Sequence, residues 1–275
     1  MLRRSGIFRS TMVATGEHRG TLDLAVVYTT KDSMRTIERS IRSVQALARR
    51  IVVVDSGSTD GTQATCRSLG ADVHEQPWLG YARQKQRSID LAGDSAWILL
   101  LDSDEIVTDE LADSIRRAIG GGCGSFDAFW VTRQYWYKDR PLRIAYPDRV
   151  LRLFRRGKAA MGDHGSPHDL VETREPTGRL PGTLRHDSWG SLDDALLRNI
   201  AYARMMSRIG TRRGSMAKVV INAPWAFVRA YVLQRGFLDG RRGFEISLVL
   251  AVSTAFKHLY RVEAQRDASH VAARR

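Results

Sequence analysis

Two aspartates one residue apart, Asp102 and Asp104, follow a short apolar stretch and could together bind a divalent cation. The preceding residues 97–101 form a continuous apolar run that is too short for a helix and typical of a strand buried on both faces. Ligands of open α/β sheets bind at the carboxyl ends of the strands. Paired carboxylates there suit Mg²⁺, which usually also contacts substrate phosphates. Because a lone Asp-x-Asp is often only a turn or a helix cap, its meaning depends on the elements around it.

A second polar segment, 55–62, follows another short strand pattern at 51–54. Its glycines and small polar residues allow the backbone to turn tightly and approach a ligand, and Asp55 could accept a hydrogen bond from a base or a ribose hydroxyl. The segment is neither a Walker loop nor a Gly-x-Gly-x-x-Gly turn. This difference argues against a kinase or a dehydrogenase.

The elements around these segments alternate between strand and helix. Strands are predicted at 22–28, 51–54, 71–74 and 97–101, and helices at 37–47, 62–69 and 81–91. Such alternation predicts a doubly wound parallel sheet. The turn at 29–32 could meet a nucleotide at a helix N-terminus or merely cap the helix. One or two cations of helix 81–91 could face a diphosphate, whereas the others would form a solvated surface.

The second half of the chain is less regular. A helix at 110–119 is followed by strand patterns at 126–137 and 150–154, and 161–185 is predicted to be loop-rich. Three histidines and two acids are found in or beside this loop-rich segment: His164, His168, Asp169, Glu172 and His186. Their spacing fits no common structural zinc site, and no cysteine joins them. A general base beside a histidine that binds metal or phosphate is the more economical hypothesis.

The C-terminal third is predicted to be helical, at 192–209, 219–233 and 244–259. Cationic residues border the last two helices, which suits helices lying in a membrane interface against anionic headgroups. The alternative is a helical pair packed on the domain or in a dimer. No window of eighteen apolar residues predicts a transmembrane helix. The first 20 residues are predicted to be a basic flexible leader, and 266–275 a disordered tail.

The composition is that of a basic globular protein. The 275 residues carry a formal net charge of +13, with 43 lysines and arginines against 30 acidic residues. This charge predicts anionic partners such as nucleic acid, an anionic membrane or phosphorylated substrates. Nucleic acid is not favoured, because the arginines are scattered rather than grouped with aromatic residues along one groove. The two cysteines are a poor basis for a disulfide framework and fit a reducing cytosol.

The ordered motifs of the chain carry a family resemblance. A first strand running to Asp32, VVVDSGSTDGT at 52–62, EQPW at 75–78 and LDSDE at 101–105 closely resemble family 2 inverting glycosyltransferases. Four further segments are similar to the lipopolysaccharide-core β-glucosyltransferase group: YPDRVLRLFRR at 146–156, the pair His168–Asp169, the segment at His186, and RGFLDGRRG at 235–243. The resemblance extends over about 22–261 and is specific to the family rather than to the sugar.

The resemblance implies a GT-A type nucleotide-diphospho-sugar transferase fold, a mostly parallel α/β sheet flanked by helices with a C-terminal helical appendage. A catalytic domain is expected at 21–190 and a helical, membrane-associated region at 191–265. The expected donor is a UDP-linked hexose used with Mg²⁺ or Mn²⁺. The expected acceptor is a hydroxyl of a cell-envelope glycan or glycolipid such as lipopolysaccharide core. The expected location is cytoplasmic, on the inner face of the cell membrane.

Site residues follow from the resemblance by position. Nucleotide-sugar contacts are expected from Thr30, Asp32, Asp55, Gly57, Ser58, Asp60, Arg83, Asp102 and Ser103. Metal contacts are expected from Asp102, Asp104 and His186, and the general base is expected to be Asp169, with Asp148 second. Relatives usually have Lys-Asn-Glu where this chain has Lys-Asp-Ser at 31–33, and Glu at the position of Asp169.

The expected chemistry is one inverting displacement, in which a carboxylate removes the proton of the acceptor hydroxyl as it attacks. A bound cation would offset charge on the departing diphosphate. Two other classes remain open. A nucleotidyltransferase would release pyrophosphate instead of a nucleoside diphosphate, and a non-catalytic basic protein would bind membrane or nucleic acid.

Overall fold

The computed structural model describes residues 21–121, 124–144, 147–162, 170–208 and 214–273. Its strands are β1 (Leu22–Thr30), β2 (Ala48–Asp55), β3 (Asp72–Glu75), β4 (Trp97–Asp102), β5 (Glu105–Val107), β6 (Ala128–Tyr137), β7 (Arg140–Pro141), β8 (Asp148–Arg155), β9 (Ala160–Met161), β10 (Val171–Glu172) and β11 (Thr177–Trp189). Its α-helices are α1 (Ile37–Val44), α2 (Thr62–Ser68), α3 (Tyr81–Asp90), α4 (Asp109–Ile119), α5 (Leu192–Ser207), α6 (Met216–Val228) and α7 (Gly240–Ala273). A π-helical turn (Arg229–Leu233) and a 3₁₀ turn (Gly236–Asp239) join α6 to α7.

Most of the strands form one mixed sheet in the order β3-β2-β1-β4-β8-β6-β11-β5, with β7 paired to β6. The half built from β3, β2, β1 and β4 is parallel, as the strand–helix alternation predicts. The other half is mixed, because β8 runs antiparallel to both β4 and β6. Strand order reverses at β1, which lies between β2 and β4, and such a switch point opens a crevice at the carboxyl ends of the strands.

Strand β4 is buried on both faces, as its apolar run predicts. Trp97, Leu99 and Leu101 join the hydrophobic core on one side of the sheet, which includes side chains of α1 and α4. Ile98 and Leu100 join the core on the other side, where α3 packs. Alternate side chains of a strand point to opposite faces, so five consecutive apolar residues fill both cores and deliver Asp102 to the strand end.

Strand β11 corrects the prediction of a loop-rich segment up to 185. Thirteen residues from Thr177 to Trp189 form a strand parallel to β6 and antiparallel to β5. Pro181 and Gly182 hide the strand pattern, since neither favours a regular ladder. The register with β6 shifts between Arg179 and Thr183, so an irregularity absorbs both residues.

The C-terminal end of the chain also differs from its prediction. The tail expected to be disordered from residue 266 is helical as far as Ala273, where α7 ends. Alanine, the best helix former, occupies four of the eleven positions 263–273, so α7 continues beyond its apolar section. The leader at 1–20 lies outside the described residues.

The C-terminal helices pack on the end of β6. Tyr137 of β6, Ala195 of α5, Ala230, and Ile246 and Val249 of α7 belong to one buried cluster. The helical pair is therefore docked on the sheet domain, while other side chains of α6 stay exposed. Within the described ranges, each helix is too short or too polar to cross a bilayer.

A buried acid, Glu105, anchors the end of β4. Its carboxylate is fully buried and accepts hydrogen bonds from Arg152 of β8 at 2.7 Å and Arg133 of β6 at 3.2 Å. The backbone N–H of Asp102 donates to the same carboxylate at 3.0 Å. Burying a carboxylate costs several kcal/mol unless it is paired and hydrogen-bonded. Glu105 is the first residue of β5, so these contacts join β4, β5, β6 and β8 at the base of the crevice.

We predict that Glu105→Gln lowers the free energy of unfolding by about 3–5 kcal/mol, because it removes the buried negative charge that Arg152 and Arg133 share and leaves them only Asp102 and Asp148 as anionic partners. Urea denaturation measures the loss. The control is Glu38→Gln, which removes an exposed partner of Arg42 one helical turn away and should cost below about 0.5 kcal/mol. Equal stability of the two variants would contradict the anchoring role.

Gly182 marks a close approach between β11 and α4. It has φ +88°, and a Cβ there would lie 2.5 Å from the backbone nitrogen of Leu111. Gly70 has a similar φ of +83° with open space around it. The two glycines therefore separate the cost of backbone strain from the cost of a steric clash.

We predict that Gly70→Ala costs about 1–2 kcal/mol, the penalty of a left-handed alanine. Gly182→Ala should cost about 2–5 kcal/mol, because the clash with α4 adds to that penalty. Urea denaturation of both variants checks the difference. Similar losses for both would show that α4 can move away from β11 freely.

Candidate active site

A cavity of about 790 Å³ opens at the carboxyl ends of β1 and β4, the switch point of the sheet. The described residues lining it are Thr29, Thr30, Lys31, Ser56, Trp78, Tyr81, Lys85, Asp102, Ser103, Asp104, His186, Arg198 and Tyr202. The register aligns Thr29 of β1 with Asp102 of β4, so the two strands end together at the cavity. The predicted residues Thr30, Asp102, Ser103, Asp104 and His186 thus meet in one place.

Asp102 lies between cations at the cavity floor. Its Oδ1 is 2.5 Å from Nζ of Lys85, and its Oδ2 is 2.6 Å from Nη2 of Arg152. Burial raises the pKa of Asp102, but the charges of Lys85 and Arg152 outweigh burial and hold that pKa well below its usual range. Asp102 therefore stays ionised at neutral pH.

Asp104 pairs with His186 rather than with the floor arginines. Its Oδ1 lies 3.3 Å from Nε2 of His186, and its Oδ2 lies 4.0 Å from Arg198 of α5. Burial opposes charge on both partners, yet their mutual attraction lowers the pKa of Asp104 and raises the pKa of His186. A carboxylate oxygen and an imidazole nitrogen therefore face the same space.

The donor set of Asp104 and His186 fits a divalent cation whose remaining ligands come from substrate phosphates and water. Nε2 of His186 faces Asp104, whereas its Nδ1 atom is buried and lacks a hydrogen-bond partner among the described residues. Among the ranges described, no three histidine, cysteine or acidic side chains converge as a complete metal site. Asp102 is engaged by Lys85 and Arg152 in this structure, and its expected metal contact stays a prediction.

Asp55, expected at the nucleotide, is fully buried and bound by the chain itself. Its carboxylate accepts from the hydroxyl of Thr30 at 2.7 Å, from both the N–H and the hydroxyl of Ser58, from the N–H of Gly57 and from Gln63. These hydrogen bonds lower the pKa of Asp55, although its burial acts in the opposite direction. Asp55 positions the loop after β2 in this structure instead of presenting a free carboxylate.

The remaining loop residues fasten the turn after β1 to the turn after β2. The N–H of Asp32 donates to the hydroxyl of Ser58 at 2.8 Å, and the carboxylate of Asp32 accepts from the N–H of Thr59 at 2.8 Å. Asp60 accepts from the N–H of Met34 at 3.0 Å. Asp32, Gly57, Ser58 and Asp60 lie beside the cavity rather than among its lining residues. They hold Thr30 and Lys31 at its edge.

Lys85, not Arg83, is the residue of α3 that enters the cavity. Arg83 is exposed and is not among the described lining residues, and its expected contact with the donor stays a prediction. Lys85 lies on the same helical face as the buried residues Ala82 and Ile89. This spacing in the sequence could have predicted that Lys85 enters the cavity, because it separates Lys85 from the solvent-facing cations of α3.

The structure describes only one of the two candidate bases, Asp148. Asp169 lies outside the described residues, as do His164 and His168. Asp148 accepts from Arg133 at 2.8 Å and from the hydroxyl of Tyr135 at 3.1 Å, and it is not among the cavity-lining residues. The carboxylate of Asp148 is thus part of the arginine network around Glu105.

The predicted site residues did not include the lining residues Trp78, Tyr81, Arg198 and Tyr202. Trp78 and Tyr81 form an exposed edge-to-face pair at the rim, with ring centroids 4.8 Å apart. Arg198 and Tyr202 come from α5, one helical turn apart, and line the opposite side. Trp78 belongs to the EQPW motif at 75–78, which was a signal for it. Helix α5 begins at Leu192, far from β4 in sequence, so no local pattern connects Arg198 and Tyr202 to the aspartates.

Comparison with known proteins gives this cavity a context. The model of glycosyl transferase family 2 matches residues 25–168, more than half of the chain. An uncharacterized glycosyltransferase of Rickettsia prowazekii is 27% identical, over 87% of this chain and 85% of its own length. The lipopolysaccharide core biosynthesis glycosyltransferase LpsC of Rhizobium meliloti is 26% identical, over 83% of this chain and 90% of its own length.

Solved structures with a similar chain path are more distant. TarS 1–349 of S. aureus has a TM-score of 0.45 and 12% identity over 89% of this chain and 91% of its own. Glucosyl-3-phosphoglycerate synthase of Mycobacterium tuberculosis, solved with Mn²⁺, UDP and glucosyl-3-phosphoglycerate, has a TM-score of 0.33 and 24% identity over 42% and 44%. The family match covers the strands and the aspartates that build the cavity. The chain therefore belongs to glycosyl transferase family 2 and has its GT-A fold.

Proposed function

We propose that this glycosyltransferase moves a hexose from a UDP-linked donor to a hydroxyl of a cell-envelope glycan or glycolipid, such as lipopolysaccharide core, with inversion. The observation that carries the proposal is the meeting of Asp102, Asp104 and His186 in one cavity at the switch point of the sheet. The name of the relative LpsC supports an acceptor of the lipopolysaccharide core class.

The cations of the cavity suit a diphosphate. Lys85 reaches the cavity from α3, and Arg198 reaches it from α5. In the proposed complex these two side chains bind the phosphates of the donor, because charge-assisted hydrogen bonds to phosphate are strong in a partly buried site. Trp78 and Tyr81 at the rim offer aromatic faces for a base or a sugar ring.

Asp104 and His186 would hold Mg²⁺ or Mn²⁺, for which their oxygen and nitrogen atoms are suitable ligands. A divalent cation bound there would offset negative charge on the departing diphosphate. Lys85 and Arg198 add to that stabilisation from the protein side. The proposed role of Asp102 is to orient Lys85 and the donor ribose beside the cation.

The proposed base is Asp169, which rests on the resemblance of the His168–Asp169 segment to the family pattern. The acceptor oxygen bonds to the anomeric carbon as the bond from that carbon to the diphosphate oxygen breaks, and the acceptor proton passes to the carboxylate. Asp148 suits this role less well, because Arg133 and Tyr135 already occupy one of its oxygens. One displacement inverts the anomeric centre.

A lipid-linked acceptor fits the C-terminal helices. Their exposed apolar side chains and the net charge of +13 suit attachment to an anionic membrane surface. The proposed location is therefore the inner face of the cell membrane, where the donor cavity would meet acceptors embedded in the lipid layer.

The first test is a donor screen that measures nucleotide release with and without Mn²⁺. Release of UDP from one UDP-hexose, dependent on the cation, supports the proposal. Release of pyrophosphate would instead identify a nucleotidyltransferase. Addition of UDP with Mn²⁺ should also raise the melting temperature, since a ligand selective for the folded state stabilises it by about 2.7 kcal/mol at 100 times its Kd.

We predict that Asp104→Asn reduces turnover at least about 100-fold, because the cavity loses the charge that holds a cation at the leaving group. The melting temperature should change little, since the side chain keeps its size. The matched control is Asp94→Asn on the surface, where Asp94 pairs with Arg49, and this variant should keep normal turnover. Near-normal turnover of Asp104→Asn would refute the metal role.

We predict that Asp169→Asn reduces turnover about 100- to 10,000-fold, the usual contribution of a general base, while donor affinity is unchanged. Calorimetric titration with UDP and Mn²⁺ measures the affinity. Asp148→Asn should instead lower the free energy of unfolding, because it removes a partner of Arg133. The opposite assignment follows if Asp148→Asn is stable but inactive and Asp169→Asn is active.

A further inference from the structure

A second cavity, of about 710 Å³, lies where the turn after β6 meets the connection between α6 and α7. Its described lining residues are Gln134, Arg140, Pro141, Leu142, Arg143, Leu233, Gln234, Arg235, Leu238, Asp239 and Arg242. None of these residues lines the cavity at β4. We call this second site the arginine cavity.

The arginine cavity is strongly positive. Four arginines, Arg140, Arg143, Arg235 and Arg242, line it, and Asp239 is the one acid among its described lining residues. Asp239 accepts a hydrogen bond from the backbone N–H of Arg143 at 2.7 Å, which ties the two walls together. Arg242 also pairs with the exposed Asp139 at 3.2 Å. Four guanidinium groups and these two carboxylates still leave an excess of positive charge that attracts a phosphate group.

The backbone fixes one of these arginines in a strained conformation. Arg235 has φ +59°, which is uncommon for a residue with a side chain. The next residue, Gly236, is buried, and a Cβ there would lie 2.8 Å from the carbonyl oxygen of Ala230. The close packing of Gly236 therefore imposes the turn that directs Arg235 to the cavity wall. Strain maintained by packing is a feature of binding sites.

An exposed apolar surface adjoins the arginine cavity. Leu233 and Leu238 line the cavity and are 60% and 47% exposed. On α6, the exposed apolar residues Val220, Ile221, Trp225 and Val228 lie along one side of the helix, opposite the buried Ala226. We call this set, with Leu233 and Leu238, the apolar stripe.

Aromatic contacts make the stripe continuous with the start of α7. Tyr231 packs edge to face against both Phe237 and Phe244, with ring centroids 6.5 and 5.9 Å away. Phe237 and Phe244 are each about half exposed. A large exposed apolar patch bordered by cations marks a protein or membrane contact. Arginines beside apolar and aromatic residues favour the membrane contact.

We propose that the arginine cavity binds the phosphate-bearing headgroup of an anionic membrane lipid while the apolar stripe enters the bilayer interface. This inference rests on the membrane association in the proposed function and assigns it a headgroup site. The occupant is a lipid rather than a free phosphate ester, because Leu233 and Leu238 place apolar surface at the mouth of the cavity. The cavity selects phosphate, and the stripe supplies the apolar contact.

The test is cosedimentation of the full chain with phosphatidylcholine vesicles that contain or lack phosphatidylglycerol. Arg140→Gln/Arg143→Gln should weaken binding to the anionic vesicles about 25-fold, since one arginine near an anionic surface contributes about fivefold. The control, Arg174→Gln/Arg179→Gln, removes the same charge from exposed positions near β10 and β11 and should bind as the wild type does. Leu233→Ser/Leu238→Ser should also weaken binding.

Three results would overturn the proposal. If the wild-type protein does not bind anionic vesicles, the proposed membrane contact is wrong. If Arg140→Gln/Arg143→Gln and Arg174→Gln/Arg179→Gln weaken vesicle binding equally, net charge alone accounts for the binding. Calorimetric binding of glycerol phosphate that is lost in the cavity pair, with vesicle binding unchanged, would assign the cavity to a soluble phosphate ester. Vesicle binding needs no donor, so these results are independent of UDP release, which measures the proposed catalysis.

Discussion

The structure depends on neutralising one acid, Glu105, that water cannot reach. An unpaired carboxylate at that depth would cost several kcal/mol, comparable with the whole stability of a typical domain. Arg152 from β8 and Arg133 from β6 supply the opposite charge, and Arg152 also holds Asp102 at 2.6 Å. Arg152 thus both neutralises the buried Glu105 and positions Asp102 at the floor of the cavity. The antiparallel strand β8 lies beside β4 and brings Arg152 to Glu105.

The sequence allowed the first half of the fold to be predicted because each element there carries its own local signal. The run at 97–101 is apolar at every position, and the structure buries every one of its residues. The order of the aspartate motifs along the chain predicted the family, which the family match confirms. The meeting of Thr29 with Asp102 at the strand ends follows from parallel pairing, which aligns carboxyl ends at one edge.

The rest of the cavity depends on contacts between residues far apart in sequence. Arg198 and Tyr202 belong to α5, whose position is set by a core shared with the end of β6 and with α7. Glu105 belongs to the motif at 101–105, but the sequence does not predict that two arginines pair with it. Asp55 resembles a ligand-binding acid by its place after β2, yet its hydrogen bonds order the loop. A local sequence pattern predicts where a strand ends, but it does not predict which distant residues lie beside that end.

Lys85 already has an anionic partner within the protein. Its ammonium lies 2.5 Å from Asp102, in the cavity where the phosphates of the donor are proposed to bind. A diphosphate would give that ammonium a second anion, whereas an unphosphorylated sugar would give it none. We therefore expect the cavity to favour phosphorylated ligands over free sugars on electrostatic grounds.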